Sequence, residues 1–113
     1  MTTTIPERYR AAEKLKDEGK LDEAAAALTA LLEEDPTHVL SHLALAVIYF
    51  RLRRAEDSVR HGQRACELDP HDPFNFTALS VTYQRAWQLT QNQRYIQLAE
   101  DAMAQAQTLE GRR

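Results

Sequence analysis

The sequence predicts an all-α fold of six helices, arranged as three stacked antiparallel hairpins. Three observations carry that expectation. Strand punctuation is nearly absent: the chain has three glycines, four prolines and no run of alternating β-branched residues, while the helix formers Ala, Leu, Glu, Gln and Arg dominate. The chain also repeats itself, Asp35-Pro36 recurring as Asp69-Pro70 at a spacing of 70 − 36 = 34. Finally, residues 39–52, VLSHLALAVIYFRL, are apolar almost throughout, Ser41, His42 and Arg51 being the exceptions. A helix apolar all round is buried between neighbours or inside a membrane. This one is too short to span a bilayer, so it reads as the middle helix of a stack.

The first hairpin spans about 5–38. Thr4-Ile5-Pro6-Glu7 reads as a capping box, Thr4 accepting from a backbone N–H and Glu7 reaching back. Gly19 closes the first helix in a left-handed turn, and Asp22 and Glu23 sit at the positive end of the second. The second hairpin spans about 39–72. Its positions echo the first at the same period: Ala11 with Leu45, Leu15 with Tyr49, Ala24 with Ser58, Leu28 with Gly62, Leu32 with Cys66. Proline lacks an N–H and disfavours helix in the residue before it, so each Asp-Pro separates one hairpin from the next.

The third hairpin, about 73–111, opens with Asp72 as N-cap and Pro73 at the first helical position. Leu79 and Tyr83 keep the period. Aligning Ala99 with Ala24 requires seven extra residues, since 99 − 24 = 75 and 75 − 68 = 7. They fall around 87–95. Seven residues are about two helical turns, so both helices are expected to lengthen by roughly one turn, with the turn at 90–92. The last helix, about 94–109, is then the lid of the stack, with Gln97, Glu100, Asp101, Gln105 and Gln107 as its polar outer face.

Composition narrows the function. The net charge of −3 gives no basic footprint for nucleic acid. Residues 1–38 hold nine acids and five bases, the acidic end of the chain, which reads as a solvated face. Cys66 stands alone, so neither an internal disulfide nor a cysteine zinc site is available, and it reads as a small packed residue. The N-terminus carries no apolar signal-type segment, so a single cytoplasmic domain over 1–113, with no membrane insertion, is the expectation. No nucleophile–base constellation, phosphate loop or HExxH pattern is present. His38, His42, His61 and His71 read as surface or capping residues, and neither enzyme activity, a cofactor nor a metal is expected.

GKLDEAAAALTALLEEDP (19–36) and RRAEDSVRHGQRACELDP (53–70) resemble the second half of a tetratricopeptide repeat. His42, Leu45-Ala46, Tyr49, Ser58 and Gly62 occupy that family's motif slots in the middle unit, as Phe76, Leu79-Ser80 and Tyr83 do in the third. The resemblance covers about 5–111. It implies a right-handed α-solenoid whose first helices line a concave groove that holds peptides or partner domains.

At about 100° per residue, Leu45, Tyr49 and Leu52, with Ala46 at the margin, form one stripe of the middle helix and point to flanking helices. Leu40, Leu43, Val47 and Phe50 form the other. The resemblance places this second stripe in the groove, with Pro6, Tyr9, Glu13 and Lys16 matching it in the first unit and Phe74, Thr77, Val81 and Gln84 in the third. The groove is expected to be polar at its N-terminal end and apolar beyond. Two readings stand: core covered by the chain itself, or an open contact surface. The second is preferred because a three-unit array has no spare segment to cover the stripe, and a patch of that size marks an interaction site.

Beside the stripe Asp17, Arg51 and Arg85 share one column, either as an exposed Arg51–Asp17 bridge or with the two arginines holding an acidic group of a partner. One subgroup of the family grips chaperone C-terminal carboxylates with Lys, Asn and Arg. The matching positions here are Tyr9, Glu13, Ala44, Phe74 and Ala78, so an adaptor of that type is not expected. Gly62 implies close packing, expected from Phe76. Trp87 and Tyr95 read as hairpin packing or as an exposed contact. The reading is a non-catalytic protein–protein interaction module with a protein or peptide partner. The alternatives are a self-assembling structural subunit, with the chain as its own partner, and an accessory or regulatory subunit of an enzyme complex.

Overall fold

The computed structural model describes residues 3–112; Met1, Thr2 and Arg113, the ends of the expected domain, lie outside them. Six α-helices follow one another: α1 (Ile5–Asp17), α2 (Leu21–Glu34), α3 (Val39–Arg51), α4 (Ala55–Leu68), α5 (Pro73–Thr90) and α6 (Arg94–Glu110). There is no strand among the described residues. Each helix packs on the next, α1 also meets α3, and α3 also meets α5. The second helices make no such mutual contact. First helices that touch and second helices that spread apart describe a curved array, with α1, α3 and α5 on its inner side.

Local chemistry explains the ends. Thr4 Oγ1 accepts from the Glu7 N–H at 3.2 Å, satisfying one of the unpaired donors of a helix start. The return bond expected from Glu7 is not formed among the described residues; Thr4 caps alone. Asp35 Oδ1 accepts from the Thr37 N–H at 3.2 Å and hydroxyl at 2.8 Å, an Asx turn that carries the chain from α2 to α3. Asp72 Oδ1 accepts from the Phe74 N–H at 2.9 Å. Gly19 turns at φ 80°, and its counterpart Arg53 adopts φ 63°, a conformation that costs a side-chain-bearing residue more than it costs glycine.

The insertion divides unequally. Helix α5 ends at residue 90, five past the counterpart of the α3 end (51 + 34 = 85), and α6 begins at residue 94, two before the counterpart of the α4 start (55 + 41 = 96). The turn is therefore 91–93 rather than 90–92. Thr90 is still helical, its hydroxyl donating to the Ala86 carbonyl at 2.8 Å. Gln91 takes the left-handed conformation at φ 59°.

Two apolar clusters make the core. One joins Ala12, Ala24, Leu28, Leu45, Ile48 and Tyr49; the other joins Val59, Cys66, Leu79, Tyr83, Ala86, Ala99 and Ala102. Of the stripe Leu45, Ala46, Tyr49 and Leu52, the first three are buried and Leu52 is half-buried, and Ile48, in neither stripe, is buried with them. Small residues let paired helices close: Ser58 Oγ donates to the Ala46 carbonyl at 2.6 Å, and Ser80 Oγ to that of Ala99 at 2.8 Å. Cys66 donates to the Asn75 carbonyl at 3.3 Å; burial first, then Glu67, pushes its thiol up to about 12, so it stays protonated.

Gly62 lets α4 pack close on α5, its nearest neighbours there being Leu79 and Thr82 rather than Phe76. A Cβ there would lie 3.2 Å from Leu79 Cδ1 and 3.4 Å from Thr82 Cγ2. Gly62→Leu overpacks this contact and is expected to cost ~1–3 kcal/mol despite leucine's better helix propensity. A thermal melt checks it: Tm falls.

Candidate partner-binding groove

The inner layer carries the stripe. From α1 come Tyr9 and Glu13; from α3, Leu40, Leu43, Val47, Phe50 and Arg51; from α5, Phe74, Thr77, Val81, Gln84 and Arg85. Large exposed hydrophobics among the described residues are Leu40 (51%), Phe74 (62%), Val81 (36%) and Ile96 (43%), and three of these four belong to the stripe. Leu43, Val47 and Phe50 are half-buried. The floor is neither fully wet nor core.

The Arg85 guanidinium stands over the Phe50 ring, 5.1 Å from its centroid, a cation–π contact that covers part of the floor and fixes a positive charge beside it. Asp17 and Arg51 are both exposed, and the Arg51–Asp17 bridge is not formed among the described residues. That reading of the column is corrected: each side chain extends into solvent instead.

The N-terminal end is polar. Glu13 pairs with Lys16 at 3.2 Å, and Tyr9 tilts against the His38 ring with centroids 5.4 Å apart. Burial first, then the neighbouring Glu13 carboxylate, pushes the Tyr9 hydroxyl up to about 12, so it remains a neutral donor. On α5, Thr77 turns its hydroxyl back to the Pro73 carbonyl at 3.2 Å and Gln84 reaches Ser80 Oγ at 3.4 Å.

Away from this face, a histidine pair corrects the surface reading. His42 is buried and His61 half-buried, their Nδ1 atoms 3.0 Å apart. His42 Nε2 lies 3.0 Å from the Pro36 carbonyl, which can only accept, so Nε2 carries the proton and His42 Nδ1 must accept from His61. His61 also stacks on Tyr49, centroids 5.6 Å apart. Burial, then His42 and Arg60, pulls His61 down to about 4 against the pull of Asp57. Burial lowers His42 as well, opposed by its bond to Pro36 and aided by Arg64 and His38.

The folded chain thus resists protonation that the unfolded chain accepts near pH 6.5. This contribution to stability is whole above that pH and is lost as pH falls towards about 4. Melts between pH 6.5 and 5, above most carboxylate titration, are expected to show Tm falling, and His61→Phe to flatten that fall. The spacing 61 − 42 = 19 gave no motif; only the antiparallel packing of α3 on α4 brings the rings together.

Trp87 and Tyr95 part company. Tyr95 stacks on Tyr83 with centroids 6.0 Å apart, whereas half-buried Trp87 lines an open cavity between α5 and α6. No helix among the described residues is long and apolar enough to cross a membrane.

A family model described as tetratricopeptide repeat matches residues 9–73, more than half of the 113-residue chain. No curated protein sequence matches it significantly. Among solved structures, the second tetratricopeptide domain of Spaghetti (RPAP3), bound to the HSP90 peptide SRMEEVD, is similar with a TM-score of 0.74 at 16% identity, over 93% of this chain and 91% of that one. The first such domain of Spaghetti, bound to the same peptide, gives 0.62 at 18%, over 92% and 90%. A structure of MamA (MSR-1 C2) gives 0.59 at 14%, over 97% and 79%. At such identities the likeness is one of fold. With hairpins repeating at 34 residues, a curved array and the family match, the chain belongs to the tetratricopeptide repeat family.

Proposed function

We propose that this chain is a non-catalytic protein–protein interaction module that takes a peptide or partner domain on the inner face of α1, α3 and α5. The observation that carries the reading is the exposure of Leu40, Phe74 and Val81 on one stripe with Leu43, Val47 and Phe50 between them. Burying one such side chain is worth ~1.5–3 kcal/mol when complete, so a partner that covers several gains enough for micromolar affinity. The Spaghetti domains hold an acidic peptide. The positions to which the family resemblance assigns a grip on acidic tails are here Tyr9, Glu13, Ala44, Phe74 and Ala78, none of them basic. The partner segment is therefore mainly apolar, with an acidic residue reaching Arg51 or Arg85 at the groove's edge.

Selection from a displayed random-peptide library on the immobilised chain tests this. Enriched peptides are expected to carry two or more large apolar residues. Enrichment of acidic tails, or none above an unrelated helical protein, would contradict the reading. So would a chain that light scattering shows to dimerise through this face.

A further inference from the structure

The hairpins present the same cleft to whatever packs after them. In the first it is built by Ala12, Leu21, Ala24, Ala25 and Leu28, and α3 fills it with Leu45, Ile48 and Leu52. In the second the counterparts are Ala46, Ala55, Ser58, Val59 and Gly62. Helix α5 fills that cleft: Leu79 and Thr82 lie against Gly62, and Leu79, Tyr83 and Ala86 cluster with Ala55 and Val59. In the third, shifted by the insertion, the counterparts are Ser80, Ile96, Ala99, Glu100 and Met103. These line an open cavity of about 420 Å³ together with Trp87.

We propose that this terminal cleft between α5 and α6 docks an amphipathic helix of a partner protein, lying where α5 lies on α4 and placing a basic residue against Glu100. The filled clefts specify the apolar face of the occupant: Leu45, Ile48 and Leu52 in one, Leu79, Thr82 and Ala86 in the other, both spaced three then four. The change at one position specifies its charge. Ala25 and Val59 are buried beneath the docked helices, and their counterpart is Glu100. A helix seated there covers a carboxylate, which is unfavourable unless a cation meets it. Trp87 and Ile96 supply the apolar anchors from which such contacts draw most of their energy.

A second copy of the chain fits poorly. The α1 counterparts of Leu45 and Ile48 are Ala11 and Lys14, both exposed, with acidic Glu7 beside them. The outer side of α6 is Gln97, Asp101 and Gln105, equally polar and exposed. Helix α6 is thus polar outward as expected, while Glu100, expected on that outer face, borders the cleft with Ile96, Ala99 and Met103.

The test uses the full chain and a fluorescein-labelled synthetic helix. The peptide has an Ala/Gln host of about 18 residues, Leu, Thr and Ala at the Leu79, Thr82 and Ala86 spacing, and two Arg on the flank facing Glu100. Fluorescence anisotropy is expected to show saturable binding, weakened at least about tenfold by Ile96→Asp and by Glu100→Lys. Replacing the peptide's Arg by Glu is expected to restore binding to Glu100→Lys. Leu40→Glu leaves binding unchanged, which separates this cleft from the inner groove. Circular dichroism checks that both cleft variants, at exposed positions, stay folded. No saturable binding, indifference to Glu100→Lys, or loss in Leu40→Glu would overturn the proposal. A concentration-dependent dimer that Ile96→Asp dissolves would assign the cleft to a second copy and overturn it equally.

Discussion

Leu45→Ala is expected to destabilise the chain by ~3–4 kcal/mol and to lower its Tm by roughly 15 °C. Leu45 is fully buried at 0% exposure and sits with Leu28, Ile48 and Tyr49 where α3 packs on the first hairpin. Truncation removes the transfer energy of three carbons and leaves a cavity that two rigid helices cannot close. The loss is amplified by the architecture, because each hairpin is stabilised through its neighbours and α3 is the one inner helix with neighbours on both sides. Leu40→Ala is the control. The same substitution one and a half turns away, at 51% exposure, is expected to cost under ~1 kcal/mol. Thermal melts of the two variants decide whether burial follows the repeat as described.

The second large effect concerns binding. Leu40→Glu combined with Phe74→Glu is expected to weaken a groove-selected peptide at least about 30-fold, near 2 kcal/mol, while Tm moves only a few degrees. Both side chains are more than half exposed, so carboxylates there remain hydrated in the free chain and are desolvated only under a ligand. Leu43→Glu and Phe50→Glu make poorer probes. Those residues are half-buried, and Phe50 also carries Arg85, so stability and affinity change together. Fluorescence anisotropy with the selected peptide, beside melts of the same samples, separates the two effects.

How much was legible depended on whether a signal was local or required packing. The Asp-Pro pairs, the Gly19 turn and the Asp72-Pro73 cap are backbone chemistry, readable from residue type alone, and they placed the hairpins. The stripes followed from helical geometry once the period was known. Ile48 escaped because α3 is packed from two directions, so its buried arc is wider than one stripe. The partner of Gly62 escaped because the choice between Phe76 and Leu79 depends on the rotation of α5 about its axis, which no spacing specifies. The division of the insertion into five and two residues has no local marker, because 90–93 contains neither glycine nor proline to mark the stop. His42 and His61 are ordinary on their separate helices and become a pair only across the α3–α4 interface.

The most direct test of the inner face as binding surface is an NMR titration of the ¹⁵N-labelled chain with the library-selected peptide. The account predicts that the largest shift changes fall on Leu40, Leu43, Val47, Phe74, Thr77 and Val81, with α2 and α4 little affected. Changes centred on the outer faces of α2 and α4, or confined to the cleft between α5 and α6, would contradict it.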